Sequence, residues 1–439
     1  MRSRIAEVRA LDVRFPTSRE GIGSDAMHPD PDYSLAYVTI RTDGDDPEGN
    51  GFTFTLGRGT EVVVAAIRAL AVLVEGLPLA KVLEDTAGLW RRLTHDGQLR
   101  WLGPDKGVIH LATAALVNAV WDLKAKLAGK PLWEVLCDLS PEELVTLVDF
   151  RYLEDVLPKE EALDLLEDRS RRKGEREAAL RREGLPGYAT SPGWIGYPDD
   201  RVVELARQAV GSGFRHIKIK VGRNPGDDVR RASLVREAIG PGVRLMLDAN
   251  QRWSVPEALA AIPRLAPFEP WWVEEPTSPD DVLGHARIAR AVAPIRLAVG
   301  EHLANRVMFK QYLQAGAMAV CQADPCRLGG INEVLAVLLL AARFDVPVCP
   351  HAGGVGLCEY ARHLAAFDAV AVGGSRSDRV VEWVDHLHEH FLDPAVVRGG
   401  HYLLPEQPGY SADLRPETLH RYRFPGGEAW QEAAAAKSR

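Results

Sequence analysis

RHIKIKVG at residues 215–222 opens a regular series of short apolar runs, and this series decides the fold. The runs that follow it lie at 244–250, 271–276, 295–302, 319–324 and 346–351. Segments with helical periodicity precede and separate them, at 200–211, 228–239, 255–265, 282–292, 305–315 and 332–344. A strand followed by a helix, repeated about every 25 residues, predicts parallel strands joined by helical crossovers. This many repeats favour a closed (β/α) barrel, and an open doubly wound sheet is the alternative.

The part of the chain before this series has a different, mixed pattern. Residues 5–15 and 36–42 are predicted as strands, and helical periodicity follows at 62–75, 79–96 and 108–127. The segment 158–184 interleaves basic and acidic residues, which predicts a solvated helix with i,i+4 ion pairs rather than a nucleic-acid patch. We therefore expect an α+β domain at 1–145, a barrel at 146–398 and a C-terminal segment at 399–439 that packs back on the first domain.

Composition and charge narrow the class of protein. The 439 residues carry a net charge of −8, whereas a nucleic-acid-binding protein is usually basic. Five cysteines with no C-x-x-C pair argue against a disulfide framework or a thiolate zinc site, and favour a reducing, cytoplasmic setting. The first residues lack the apolar core of a signal peptide. The apolar run 62–83 is interrupted by Arg68, Glu75 and Lys81, so no membrane span is expected.

Ionisable residues stand at the ends of the strand-like runs. They are Lys218 and Lys220, Asp248, Glu274, Glu301, Asp324 and His351. From Lys220 onward the spacings are 28, 26, 27, 23 and 27 positions, so one strand–helix unit separates each residue from the next. In a (β/α) barrel this places all of them at the C-terminal mouth, where active sites form.

The types of these residues indicate a metal site with acid and base groups beside it. Three consecutive carboxylates, Asp248, Glu274 and Glu301, repel one another without a cation, and oxygen-only ligands favour Mg²⁺. Lys218 and Lys220 alternate by two, so both point to one side of their strand, where one neutralises a substrate carboxylate and the other exchanges a proton.

Two further residues complete the expected ring of polar groups. His351 and Asp324 lie on neighbouring strands, and a carboxylate bound to one imidazole nitrogen fixes the tautomer of the other. Glu382 follows the next apolar run and is the candidate residue of an eighth strand.

The chain resembles the enolase superfamily and, within it, the L-fuconate dehydratases. The resemblance rests on KIKVG (218–222), LDANQRW (247–253), WVEEPTSPDDVLGHA (272–286), GEHLANRVMFKQ (300–311), CPHAGGVGLCE (349–359) and VDHLHEHF (384–391), and on RFPTSREGIGSDAMHPDPDYS (14–34) and LRWLGPDKGVIH (99–110). These stretches extend over nearly the whole chain. The resemblance implies an N-terminal capping domain, completed by the C-terminal segment, over a modified (β/α)8 barrel.

The same resemblance implies residue roles and a reaction. It implies Mg²⁺ held by Asp248, Glu274 and Glu301, Lys220 as the base and His351, paired with Asp324, as the acid. It implies a capping loop that closes over the far end of the substrate and further substrate contacts. Those contacts are Ser24, Asp25, Ala26, Tyr33, Lys218, Asn250, Asn305 and Glu382. The implied reaction converts L-fuconate to 2-dehydro-3-deoxy-L-fuconate and water. One departure from the family pattern, Ala323 and Pro325 around Asp324, bears on the geometry at His351.

Other functions remain open from the sequence alone. A dehydratase of another aldonate uses the same residues, and so does a racemase or epimerase, which exchanges the proton without losing a hydroxyl. A non-catalytic binding protein is disfavoured, because a protein freed from catalysis need not keep Lys220, Asp248, Glu274, Glu301 and His351. The expected partner is a small acid sugar, with no nucleic acid and no membrane, and the chain is expected to form a homo-oligomer.

Overall fold

A three-stranded antiparallel sheet opens the chain in the computed structural model, which describes residues 3–437. Its strands are β1 (Ile5–Arg14), β2 (Ser34–Thr42) and β3 (Gly49–Thr55), paired in that order. Helices cover it and follow it. They are α1 (Thr60–Ala71), α2 (Leu79–Glu84), α3 (Thr86–Thr94), α4 (Gly107–Ala128), α5 (Leu132–Asp138) and α6 (Pro141–Thr146).

Helix α4 is the central support of this sheet. A Cβ added at Gly51 of β3 would lie 2.4 Å from the backbone nitrogen of Ala119, so strand and helix approach more closely than any side chain allows. By length and hydropathy α4 alone among the described helices matches a membrane span, yet 78% of the apolar window is buried inside the structure. That burial is typical of a core helix.

The second sheet is mixed and carries the strand–helix series. It consists of β4 (Leu185–Gly193), β5 (His216–Lys220), β6 (Arg244–Asp248), β7 (Pro270–Glu274), β8 (Arg296–Val299), β9 (Val320–Cys321), β10 (Val381–Trp383), β11 (Val397–Arg398) and β12 (His401–Tyr402). Strands β4 to β9 pair in parallel in chain order, and β10 pairs in parallel with β4. In the hairpin β11–β12, strand β12 pairs in antiparallel fashion with the first residues of β4.

Helices precede, separate and follow the strands of this sheet. They are α7 (Lys159–Ser170), α8 (Lys173–Glu183), α9 (Asp199–Gly211), α10 (Pro225–Ile239), α11 (Val255–Leu265), α12 (Val282–Val292), α13 (Arg306–Gln314), α14 (Ile331–Arg343), α15 (Leu357–Phe367), α16 (Pro416–Tyr422) and α17 (Glu428–Lys437). Inward side chains of the parallel strands form a separate buried cluster of Tyr188, Met246, Trp272, Ala298, Val320, Cys349 and Val380. The alternation of parallel strands and helices predicted from the sequence is confirmed.

Several local predictions were wrong. The pattern at 79–96 is two helices, because Asp85 ends α2 and caps α3 by accepting the Gly88 N–H. The charged segment 158–184 is likewise two helices, α7 and α8. The run at 346–351 forms a single bridge, between Val348 and Cys321. Strands β3 and β4 were not predicted.

The C-terminal segment returns to the first sheet after the hairpin. Arg423 forms an antiparallel bridge with Val13 of β1, and the Phe424 N–H donates to the carbonyl of Asp12 (2.9 Å). The indole N–H of Trp430 donates to the Arg14 carbonyl (3.1 Å). The last residues therefore extend the edge of β1, while the boundaries of the three-part division stay a prediction.

Candidate active site

The register of the parallel strands brings the predicted residues side by side. Lys220 is paired with Asp248 across β5 and β6, and Asp248 with Glu274 across β6 and β7. Glu301 follows the end of β8 after Gly300, whose Cβ would lie 2.4 Å from the carbonyl oxygen of Gln322. Only glycine permits this approach of neighbouring strand ends. Four functional groups thus lie along one end of the sheet.

Three of these groups form a compact oxygen cluster. Asp248, Glu274 and Glu301 each offer one carboxylate oxygen, and these oxygens lie within 4.8 Å of one another. All three residues are buried. Burial raises the pKa of Glu274 well above its usual range, and the negative charge of Asp248 adds to the effect. Burial likewise raises the pKa of Glu301, against the opposing influence of His351. The ionised forms of Glu274 and Glu301 are therefore disfavoured in these surroundings, and a bound cation would favour them.

The two lysines of β5 neutralise part of this charge. Lys218 Nζ lies 2.7 Å from Glu274 Oε1 and 2.8 Å from Glu382 Oε1, and its side chain has no exposed surface. Lys220 Nζ donates to Asp248 Oδ2 (2.5 Å). Burial alone would lower the pKa of Lys220, but the negative charges of Asp248, Glu301 and Asp25 together raise it above its usual value. Both ammonium groups are thus fixed by carboxylates on neighbouring strands.

His351 and Asp324 form the expected pair. His351 Nδ1 lies 2.7 Å from Asp324 Oδ2, and Asp324 Oδ1 accepts the backbone N–H groups of Cys326 and Arg327. The departure at Ala323 and Pro325 therefore leaves the pair in contact. Burial would lower the pKa of His351, but Glu301, the hydrogen bond to Asp324 and Glu382 together raise it to about 10. His351 is accordingly a proton donor at neutral pH.

A cavity lies above these groups, between the two sheets. Its floor contains Lys220, Asn250, Glu301, Asp324 and His351. One part of its wall is apolar, with Phe54, Leu56, Leu111 and Trp194. Another part is polar, with Asp25, His28, Tyr33, His302 and Arg327. The cavity thus has a charged floor, an apolar wall and a polar wall.

The capping loop 21–33 lies partly on the cavity. Asp25 and Tyr33 line the cavity, whereas Ser24 and Ala26 do not. Ser24 Oγ accepts the Gly196 N–H (3.0 Å), and its carbonyl accepts the Ile195 N–H (3.0 Å). Ser24 therefore anchors the loop to the segment after β4, while the substrate contacts of Ser24 and Ala26 stay predictions.

Three other expected substrate contacts lie outside the cavity lining. Asn305 caps α13, since its side-chain oxygen accepts the N–H groups of Val307 and Met308. Lys218 and Glu382 lie behind the floor, where Glu382 also accepts the Thr190 hydroxyl and the Ala352 N–H. The charged groups of Lys218 and Glu382 therefore contact other groups of the protein. Asn250 does line the cavity, and its buried side-chain oxygen has no hydrogen-bond partner among the described residues.

A second histidine–carboxylate pair, which was not predicted from the sequence, lies at the cavity. His302 lines the cavity, and its Nδ1 lies 3.0 Å from Glu275 Oε2. Across the cavity, His28 lies with its ring parallel to that of His302, at a centroid distance of 6.5 Å, and its Nδ1 lies 3.0 Å from Asp25 Oδ2. The sequence positions could have predicted both histidines, because His302 directly follows the proposed metal ligand Glu301 and His28 lies in the capping loop.

The chain matches known proteins over most of its length. Residues 201–418 match the family model described as enolase C-terminal domain-like. The L-galactonate dehydratase of Hypocrea jecorina is 49% identical over 433 residues, which cover 97% of this chain and 96% of that protein. The crystal structure of human mitochondrial enolase superfamily member 1 superposes with a TM-score of 0.97 at 53% identity, covering 98% and 99% of the two chains.

A more distant solved structure contains a metal ion. The L-talarate/galactarate dehydratase from Salmonella typhimurium LT2, liganded with Mg and L-lyxarohydroxamate, superposes with a TM-score of 0.76 at 25% identity. It covers 96% of this chain and 93% of its own. The similarity therefore extends to proteins whose names describe acid-sugar dehydration.

Proposed function

The chain belongs to the enolase superfamily, and from this premise we propose that it is a magnesium-dependent acid-sugar dehydratase. The single observation that carries the proposal is a set of buried groups at one cavity: Lys220 and the His351–Asp324 pair on its floor, and a three-carboxylate cluster that reaches the cavity through Glu301. Relatives named as dehydratases support the reaction class. A closed (β/α)8 barrel under an N-terminal capping domain, within the boundaries 1–145, 146–398 and 399–439, is part of the proposal.

Contacts between β9, the segment at 348–349 and β10 support the closed barrel. The Cys349 N–H donates to the Cys321 carbonyl (2.8 Å), beside the bridge at Val348. Cys349 Sγ in turn accepts the Val380 N–H, at 3.5 Å, next to β10. Strand β10 pairs with β4, so this chain of contacts returns to the first parallel strand.

The residues present fit a Mg²⁺ ion. Asp248, Glu274 and Glu301 offer only oxygen, the donor type that this ion prefers. Glu301 Oε2 is buried without a hydrogen-bond partner among the described residues, and His351 Nε2 is 3.6 Å away from it. When bound, Mg²⁺ supplies Lewis-acid stabilisation of the negative charge that develops on the substrate carboxylate.

The protein's own groups then move the protons. Lys220, on the cavity floor, removes the proton from C2 beside the substrate carboxylate as a neutral amine. A cation held by Asp248 would weaken the ion pair that keeps Lys220 protonated, and so would lower the pKa of this lysine. His351, protonated and oriented by Asp324, donates a proton to the 3-hydroxyl, so that the C3–O bond breaks and water leaves. The resulting enol gains a proton at C3 and becomes a 2-keto-3-deoxy acid. Lys218, paired with Glu274 and Glu382 below the floor, maintains positive charge behind the developing enediolate.

We propose L-fuconate as the preferred substrate. L-Fuconate is 6-deoxy-L-galactonate, so the two acids differ only in a methyl or a hydroxymethyl group at C6. The apolar side chains of Phe54, Leu56 and Leu111 in the cavity lining suit a methyl group at the far end of the substrate. The polar part of the lining, with His28 and His302, suits the hydroxyl groups along the chain.

We also propose that the protein is cytoplasmic, that it forms a homo-oligomer, and that it has no nucleic-acid or membrane partner.

The test is formation of 2-keto-3-deoxy acid from a panel of acid sugars, with Mg²⁺ and with EDTA. The panel contains L-fuconate, L-galactonate, their stereoisomers and galactarate. We expect metal-dependent dehydration, with kcat/KM for L-fuconate about tenfold above that for L-galactonate, since one methylene or hydroxyl difference in an apolar pocket is worth roughly 1–3 kcal/mol. Preference for another acid would overturn the substrate and keep the mechanism. Exchange of the C2 proton in D2O without loss of water would indicate an epimerase instead.

A further inference from the structure

Two adjacent tryptophans lie on β7, with their ring centroids 4.7 Å apart. Trp272 is fully buried and points into the inner cluster, where its ring meets the edge of Tyr188 at a centroid distance of 5.5 Å. Trp271 is the extra residue at a shift in the β6–β7 register and packs against the same cluster from a partly buried position, where the Arg244 guanidinium lies 4.2 Å from its ring centroid. Side chains of a strand alternate between its faces, so Trp272 shares its side with Glu274.

The indole of Trp272 holds one oxygen of a metal-binding carboxylate. Its Nε1–H donates to Glu274 Oε2 at 3.2 Å, inside the buried cluster. The other oxygen, Oε1, lies 2.7 Å from Lys218 Nζ. Each oxygen of Glu274 is thus in contact with a donor from a different strand position, and the carboxylate plane is fixed.

The chemistry of the indole makes it suited to this task. An indole N–H is a donor only and carries no charge, so it neither competes as a ligand nor repels a cation as strongly as a second lysine does. Hydrogen bonds from outside the ligand set orient metal ligands, and their loss typically weakens metal affinity by about 10–100-fold.

We propose that Trp272 is a positioning residue, which presets the Glu274 carboxylate for the cation. The inference rests on the proposed function, because it needs the carboxylate cluster to hold Mg²⁺. A purely structural role is the competing explanation, since a buried indole N–H needs some acceptor. That role predicts lower stability with unchanged metal affinity in the folded variant, so the two explanations differ in a measurable quantity.

The experiment measures Mg²⁺ affinity of the full chain by isothermal titration calorimetry. Trp272→Phe is compared with the unaltered protein and with Trp133→Phe, a matched control on α5 that removes another fully buried indole N–H, donated to the Pro405 carbonyl (3.0 Å). We expect Mg²⁺ to bind the Trp272→Phe protein about tenfold more weakly. We expect the control to stay within twofold. Mg²⁺ should also change the tryptophan emission of the unaltered protein, and most of that change should be lost in Trp272→Phe but kept in Trp133→Phe.

A second substitution removes the donor without changing the shape of the ring. Replacing Trp272 with β-(3-benzothienyl)alanine puts sulfur in place of the N–H, and the same loss of affinity is expected if Trp272→Phe does not fold. An affinity within twofold of the unaltered protein, in either folded variant, overturns the inference and leaves the proposed function intact. Absence of Mg²⁺ binding to the unaltered protein overturns the proposed metal site and the inference with it.

Discussion

Replacement of Arg306 by methionine should destabilise the protein more than most single substitutions. Arg306 begins α13 and is 1% exposed. Its guanidinium lies 3.2 Å from Asp105, 3.3 Å from Asp149 and 3.3 Å from Glu333. A methionine side chain would fill much of the same space but leave these carboxylates without their shared cation.

The magnitude follows from the burial of the partners. The side chain of Glu333 is fully buried, and those of Asp105 and Asp149 are 7% and 12% exposed, so water replaces the guanidinium poorly. In the variant Glu333 would still contact His110, whose Nε2 lies 2.5 Å from Glu333 Oε2, and this contact limits the loss of stability. Removing one partner from a buried ion network costs about 3–5 kcal/mol, and we expect about 4 kcal/mol for Arg306→Met.

The assay is equilibrium unfolding in urea, followed by circular dichroism and by tryptophan fluorescence. Coincident transitions are required before a free energy of unfolding is calculated for a chain of this size. The matched control is Arg296→Met, because Arg296 pairs with Asp378 at 3.2 Å while the two side chains are 27% and 38% exposed. Such a pair contributes about 0–1 kcal/mol. The reasoning would be refuted if both variants lost similar amounts of unfolding free energy, or if Arg306→Met lost less than about 1 kcal/mol.

Three further predictions follow from the site and its surroundings. Lys220→Met should lower kcat for dehydration by about 10²–10⁴-fold and abolish exchange of the C2 proton in D2O, while calorimetry still detects Mg²⁺ binding; undiminished turnover would remove Lys220 from its assigned role. Mg²⁺ at 100 times its Kd should stabilise the unaltered protein by about 2.7 kcal/mol in thermal unfolding, and an equal shift in Asp248→Asn would contradict the assigned ligand. Burial, with Arg244 nearby, lowers the pKa of His216 to about 4. The His216 imidazole is protonated near pH 6.5 in the unfolded chain but only near pH 4 in the folded chain. The free energy of unfolding is therefore highest above pH 6.5 and falls by roughly 3 kcal/mol as the pH is lowered toward 4. In His216→Phe, the midpoint of urea unfolding should depend less on pH across this range.

The spacing of charged residues predicted the candidate site because the strand–helix unit repeats regularly. Lys220, Asp248 and Glu274 end successive strands, so their one-unit spacing translates directly into neighbouring positions. The same reasoning cannot tell how deep a side chain lies. Lys218 and Glu382, which are predicted to contact the substrate, pair with each other and do not line the cavity, so their substrate contact stays a prediction. Depth depends on how far each strand extends before its loop, and spacing carries no such information.

The elements that were missed lack the pattern on which the prediction relied. Strand β3 has the sequence GNGFTFT, and its Gly51 faces α4 at a distance that excludes any side chain, so glycine rather than an apolar residue marks the face toward this helix. Strand β4 contains LPGYATSPG, where proline and glycine hide a buried strand. Trp272 was readable in principle, since its alternation with Glu274 places both on one face, but the contact between them depends on the side-chain rotamers.

The contact of residues 423–424 with β1 has a consequence for biosynthesis. Strand β1 leaves the ribosome about 400 residues before Arg423 and Phe424, which bond to its edge. At roughly 5–20 residues per second, about 400 residues take on the order of 20–80 s to synthesise. During this interval the edge of β1 lacks this later partner, and an unpaired edge is a site for aggregation. A nascent chain of this protein should therefore engage chaperones through the sheet of β1 to β3, and a message truncated before the codon of Arg423 should yield a product that is degraded.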